Sequence, residues 1–389
     1  MFPHLLCSHL CFLQLKKKFY MNNKAIYYLT YQDFPAQTAN SQQTISTCKY
    51  FLRNKYQVTL FFPLRSKNSN EDIDVLKEQY EFSEENFNTV GIAHKTKFEG
   101  SSMFKKIRYL TSHIIWSYQA VNKIMREFEN PLIFFTRSDW VFYFLSKRNI
   151  PVVYECHKLT RVRKKLIQSS IKKNRSKIIF MNDALKNQTN IKPKFLKKIL
   201  VQTAGYDEDF FYSSNNKVSK QVIYSGSLER LGANRNLDFI FESFADERLT
   251  GFTLKVFGGT KQQIGQLNKK YKHISNISLN EHVTKKRLGQ ELANSEIGIL
   301  ASSNDDFSKY YTDPLKYYEY TASGLRIVAT DFPAHRRLNQ LENIIYFKDQ
   351  DAESFINALI ISSKNLEETQ IGVLETMDSR VKKILNFID

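Results

Sequence analysis

Glu155 and His157 close the apolar run PVVYECH at a spacing of two. In a strand that spacing sends both side chains to the same side, placing a carboxylate beside an imidazole able to hydrogen-bond a hydroxyl. Glu319 stands among Tyr317, Tyr318 and Tyr320, a setting that does not otherwise welcome a free charge. Asp305–Asp306 and Asp207-x-Asp209 have the look of metal-binding carboxylates. The cysteines give no such lead. Cys7, Cys11, Cys48 and Cys156 form neither a zinc spacing nor a disulfide framework, and Cys48 shares a helical face with Ile45 and Leu52, as a core thiol does.

These residues need a scaffold, and the 389-residue chain is long enough for two domains. From Lys24 a short strand, a helix over about 41–54 and the strand VTLFFP (58–63) make a βαβ opening. Ile107, Leu110, Ile114, Tyr118, Val121, Met125 and Phe128 recur at gaps of three and four, which predicts a long helix with this stripe facing the core. Apolar runs at 132–136, 151–155, 177–181 and 198–202 continue a parallel sheet. Residues 207–220 are polar and read as a linker, after which a second strand–helix series begins at QVIYSGS (221–227). The expected architecture is α/β, with two Rossmann-like, doubly wound parallel sheets.

Charge is divided unevenly. Residues 21–206 carry 31 Lys and Arg against 14 acidic residues, a net +17, whereas residues 207–389 carry a net −2. The basic half suits an anionic surface, either a membrane or a nucleic acid. No helix-turn-helix, RNA-recognition or zinc module is visible, which disfavours nucleic acid. No run of about 20 apolar residues occurs, so no spanning helix is expected. The opening 20 residues carry lysines after an apolar run, the reverse of a signal peptide, and are read as a leader or an upstream start preceding Met21.

Facing Rossmann-like sheets favour a nucleotide ligand, yet neither half has G-x-G-x-x-G after its first strand and no P-loop occurs. Four segments narrow the reading: VIYSGSLER (222–230), LKVFGGTKQQIGQL (254–267), ELANSEIGILAS (291–302) and DPLKYYEYTASGLRIVATD (313–331). Together they resemble glycosyltransferase family 4, nucleotide-sugar-dependent enzymes of the GT-B fold and group 1 type. DFPAQTANSQQT (33–44), FFTRSDWVFYFLSKRNIPVVYECH (134–157) and TMDSRVKKILNFI (376–388) are similar to the family's first phosphate-side loop, its E-x-H segment and its closing helix. The resemblance implies an acceptor-binding domain over 21–206, a donor domain over 221–370 and a helix over 371–389 that crosses back, with a cleft between the domains.

Residue roles follow from the same resemblance. Glu319 matches the second glutamate of the family's E-x7-E element, which accepts hydrogen bonds from the donor ribose. The first glutamate would fall at Tyr311, so Asp313 or Asp306 is left to serve the sugar. Lys316 and the amides around Leu315 face the diphosphate, and Arg235, or Arg230 in another register, neutralises the leaving group. Gly226 and Gly258 let the backbone approach the nucleotide, Asn40 turns its amide to the donor phosphate, and His157 lies by the transferred sugar. The implied reaction retains anomeric configuration without a metal or other cofactor. It would pass a sugar to a glycan or lipid-linked acceptor in surface polysaccharide or lipopolysaccharide synthesis, in the cytoplasm or on the inner face of the cytoplasmic membrane. A nucleotide-sugar epimerase and a catalytically inactive scaffold of the same fold are the alternatives.

Overall fold

The computed structural model describes residues 24–94, 102–129, 131–230, 233–235, 237–338, 343–364 and 374–389. The expected leader over 1–20, with Cys7 and Cys11, lies outside them.

The first sheet is built from β1 (Ala25–Leu29), β2 (Gln57–Leu64), β3 (Phe87–Ala93), β4 (Ile133–Thr136), β5 (Val152–Cys156), β6 (Ser176–Phe180) and β7 (Ile199–Val201). Its order is β3-β2-β1-β4-β5-β6-β7, every pair parallel. The strands are buried on both faces, which is why they read as continuous apolar runs rather than alternations. Crossovers α1 (Ala39–Arg53) and α2 (Ile73–Tyr80) cover one face. There Cys48, Phe51 and Leu76 pack with Ile26, Tyr28 and Leu60. On the other face lie α3 (Ser102–Glu127), α4 (Asp139–Lys147) and α5 (Arg161–Ser170), side by side, followed in the chain by α6 (Asp183–Gln188). They contribute Trp116, Phe142 and Ile167 to the core.

The long helix departs from its expected face. His113, Trp116, Ala120, Val121 and Ile124 are buried, while Ile107, Leu110, Ile115 and Tyr118 are 50–58% exposed. A 3–4 spacing of apolar residues marks a stripe but not what covers it. Toward the helix start, part of the expected stripe faces outward.

The second sheet contains β8 (Gln221–Ser225), β11 (Thr253–Gly259), β12 (Ile277–Glu281), β13 (Ile297–Leu300), β14 (Arg326–Thr330) and β15 (Ile344–Phe347). Its order is β12-β11-β8-β13-β14-β15, again all parallel. A two-stranded ribbon, β9 (Glu229–Arg230) and β10 (Ala233–Asn234), follows β8. The helices are α7 (Asp238–Ser243), α8 (Lys261–Lys270), α9 (Lys285–Ala293), α10 (Asp306–Tyr310), α11 (Leu315–Ala322), α12 (Pro333–Arg336) and α13 (Ala352–Lys364). In each sheet the order reverses beside its first strand, β1/β4 and β8/β13, and ligands bind outside the carboxyl ends at such switch points.

The last helix, α14 (Met377–Ile388), returns to the first sheet, where Met377, Val381, Ile384 and Leu385 join the core beneath α1. Tyr206 pairs with Thr376 at the entry to that helix. Met377 donates to the Tyr206 carbonyl at 2.8 Å.

Candidate active site

At the carboxyl end of β8 the chain turns through Gly226, whose φ of 119° belongs to the region glycine alone enters freely. Its N–H donates to the Phe257 carbonyl at 2.8 Å. A Cβ here would stand 2.7 Å from Lys316 Cε, and one at Gly258, at φ 131°, would collide with the Gly226 carbonyl. These two glycines therefore let two strand ends and a lysine crowd together.

Lys316 lies in the first turn of α11 with its ammonium 3.7 Å from the centre of the Tyr224 ring, a cation–π contact. Its Nζ is shielded from solvent and has no hydrogen-bond partner; neither has the equally shielded Nε of Arg235. Burial, then the neighbouring Arg235, push the lysine well below its ordinary pKa. An unpaired buried cation costs several kcal/mol. Lys316 Nζ against the glycine turn, with the Arg235 cation acting on it, makes a place where an anion would be held strongly.

Glu319 follows Lys316 by three residues on α11, so the two share a helix face. Burial raises its carboxyl pKa, and Lys285 and Lys316 oppose the rise. The helix is registered against β8 by Tyr320, whose hydroxyl accepts from Ser225 N–H at 2.9 Å. Pro314 caps α11 without any side-chain acceptor, leaving the first-turn amides to other partners. Leu315 packs its side chain against the apolar core.

A second group of residues sits on the first sheet. His157 Nε2 hydrogen-bonds Glu155 Oε1, and Glu155 Oε2 accepts from Arg380 Nη2 at 2.9 Å. Arg137 Nε lies 3.9 Å from Glu155 Oε1, and its Nη1 donates to the Asn40 carbonyl at 3.2 Å. Burial alone would raise the Glu155 pKa, but Arg380 and His157 hold it well below the usual carboxylate range. Burial and Arg137 lower His157 to about 4, so it is neutral at pH 7. Asn40 Nδ2 reaches Gln32 Oε1 at 3.4 Å, and the α1 amino terminus beside it is closed by a Thr38–Ser41 capping box.

Between the groups lies Asp313. Its carboxylate accepts from Ala204 N–H at 2.6 Å and from the Tyr318 hydroxyl at 2.8 Å, and burial lifts its pKa to about 6. Those bonds engage both of its oxygens in tying the loop before α11 to the chain between the sheets. Tyr311 likewise bridges: its carbonyl accepts from Asn182 Nδ2 at 3.0 Å and its hydroxyl meets Gln188 Nε2. The Arg230 side chain lies outside the described residues; its backbone pairs in the β9–β10 ribbon. Asp207 is held by Lys49 at 2.9 Å and Tyr50 at 3.0 Å, and Asp209 pairs with Lys49 and Arg53. Among the described residues no cluster of three His, Cys, Asp or Glu is arranged to hold a metal.

The structure thus gathers Gly226, Gly258, Arg235, Lys316 and Glu319 in one place, and Asn40 and His157 in another. Arg137, Tyr224, Lys285 and Arg380 were not singled out from sequence. Arg380 alone left a signal, as a cation in the apolar stripe of Met377, Val381 and Ile384.

Residues 219–365 match the family model for glycosyl transferases group 1. No curated protein matches the chain by sequence. Among solved structures, sucrose-phosphate synthase from Thermosynechococcus elongatus is similar with a TM-score of 0.65 at 13% identity, over 94% of this chain and 96% of that one. A glycosyltransferase from Rickettsia africae ESF-5 gives 0.61 at 15% identity over 94% of each chain. WaaG, a glycosyltransferase involved in lipopolysaccharide biosynthesis, gives 0.61 at 12% identity over 93% of this chain and 99% of its own. The C-terminal domain thus matches glycosyl transferases group 1, and the two parallel-sheet domains together have the GT-B fold.

Proposed function

We propose that the protein transfers a sugar from a nucleoside-diphosphate-sugar donor to a glycan or lipid-linked acceptor. One observation carries this reading: the partnerless Lys316 Nζ against the Gly226 turn, at the switch point of the second sheet, with the shielded, partnerless Arg235 Nε on a cation that acts on it. The diphosphate lies against these cations, and Glu319 accepts from the ribose hydroxyls, the geometry a carboxylate offers a vicinal diol. As the bond from the anomeric carbon to phosphate breaks, the two cations take up the charge that develops on the departing oxygen, a role a metal would otherwise fill.

The acceptor oxygen forms its bond on the face the phosphate leaves, and its proton passes to the leaving phosphate oxygen, so configuration is retained. This route is supported by the state of Glu155, whose oxygens are engaged by Arg380 and His157 and offer no free base. Neutral His157 is suited to hydrogen-bond a sugar hydroxyl.

An acceptor carried on an anionic membrane is supported by the outer side of the first domain. Exposed Ile107, Leu110 and Tyr118 on α3 accompany Arg108, Arg161 and Lys165. Apolar side chains that enter the interface and cations that meet lipid phosphates are how proteins lie on membranes without crossing them. Among the described residues no helix is long and apolar enough to cross one. The place of action is then the cytoplasmic face of the membrane, in surface-glycan synthesis.

A melting screen against UDP, GDP, ADP and CMP tests the donor reading, since a ligand of the native state raises its stability by mass action. A specific rise with one nucleoside diphosphate, followed by release of that diphosphate from its sugar conjugates, is the expected result. Binding without turnover under any acceptor would favour the inactive-scaffold alternative, which Tyr311 at the first glutamate position also favours.

A further inference from the structure

Arg380 is fully buried on the face of α14 that otherwise presents Met377, Val381, Ile384 and Leu385 to the core. Its Nε donates to the Thr203 carbonyl and its Nη2 to Glu155, both at 2.9 Å. The other end of the same peptide unit, Ala204 N–H, is taken by Asp313. Stability gives little reason for such an arrangement, because a buried ion pair is often no better than well-packed apolar side chains. What the pair does secure is geometry: Glu155 would otherwise be an uncompensated buried carboxylate with His157 as its main partner.

We propose that Arg380 is a positioning residue for His157: anchored by the Thr203 carbonyl, its guanidinium fixes the Glu155 carboxylate, which seats the imidazole in the cleft. The returning helix is then part of the active site and not only a clasp on the fold. This deepens the transferase reading, on which the meaning of the His157 position rests. The charged groups facing His157 come from three elements: Arg137 after β4, Glu155 on β5 and Arg380 on α14.

The test is histidine-ring NMR of the full chain, with His157 assigned by the signal lost in His157→Gln. In the wild type the ring is expected to titrate near 4, because burial and Arg137 disfavour the imidazolium. Arg380→Gln removes a cation that disfavours the imidazolium, so the midpoint is expected to rise by about one unit or more, with a moved ring signal. Arg380→Lys keeps the charge but reaches only one of the two oxygens; its expected effect is a moved ring signal with a smaller change of midpoint. A cooperative melting transition establishes that each variant folds, and Arg380→Lys serves if Arg380→Gln does not. An unmoved His157 signal in either folded variant overturns the proposal. The outcome is independent of the donor reading: failure of every nucleoside diphosphate to bind the wild type would remove that reading while the ring signal still reported on Arg380.

Discussion

At the scale of single residues, the site is marked by groups whose polar needs the protein leaves unmet. Lys316 is the clearest. Replacing it by Met removes an unpartnered buried cation while keeping most of the apolar stem, so the ligand-free protein should melt higher, by the equivalent of about 1–3 kcal/mol, while losing its response to the nucleoside diphosphate. A lower melting point in the ligand-free variant would show that the ammonium is already satisfied. Glu319→Gln retains shape but weakens acceptance from the ribose; titration calorimetry should show affinity down by roughly 10-fold or more, in line with about 1.5–3 kcal/mol for hydrogen bonds to a charged group. Gly226→Ala should cost both stability and binding, because φ there is 119° and the added methyl meets Lys316.

At the scale of elements, the strands and their crossovers were legible because parallel strands buried on both faces are written as apolar runs of four to eight residues, as in β1, β4 and β5. The α11 segment was legible through its family motif. Two kinds of feature were not. Glu155–Arg380 and Ala204–Asp313 join residues 225 and 109 positions apart, and nothing local in the chain announces such pairs. The outward stripe of α3 differs from the expected core face because buried and outward-facing apolar residues obey the same 3.6-residue period. That stripe has its own consequence. Changing Ile107, Leu110 and Tyr118 together to Glu should sharply reduce flotation with vesicles rich in anionic lipid at low salt, without affecting nucleotide binding. Undiminished flotation would remove α3 from the membrane account.

At the scale of the whole molecule, acid stability follows from buried imidazoles. Burial lowers His113, His157 and His335 to about 4. The unfolded chain takes up these protons near pH 6.5 and the folded one does not, so stability falls as pH drops from about 6.5 toward 4, by roughly 2 kcal/mol per histidine at pH 5. Asp313 works the other way, because its carboxyl, raised to about 6, is protonated first in the folded state. Glu319 shares that sign. The three histidine losses set the expected net decline, seen as a melting temperature several degrees lower at pH 5 than at pH 7. A flat profile would mean that these histidines protonate within the fold.

The central claim is that the second domain's Gly226 turn, with Lys316 and Arg235, holds the diphosphate of a nucleotide donor. Titration calorimetry with the nucleoside diphosphate selected by the melting screen tests it most directly, run on the wild type, Lys316→Met and Arg235→Met. The account requires saturable one-to-one binding in the wild type and a loss of at least about 10-fold in each variant, as expected for a charged hydrogen bond removed. Wild-type affinity in both variants, with both folded, would contradict it.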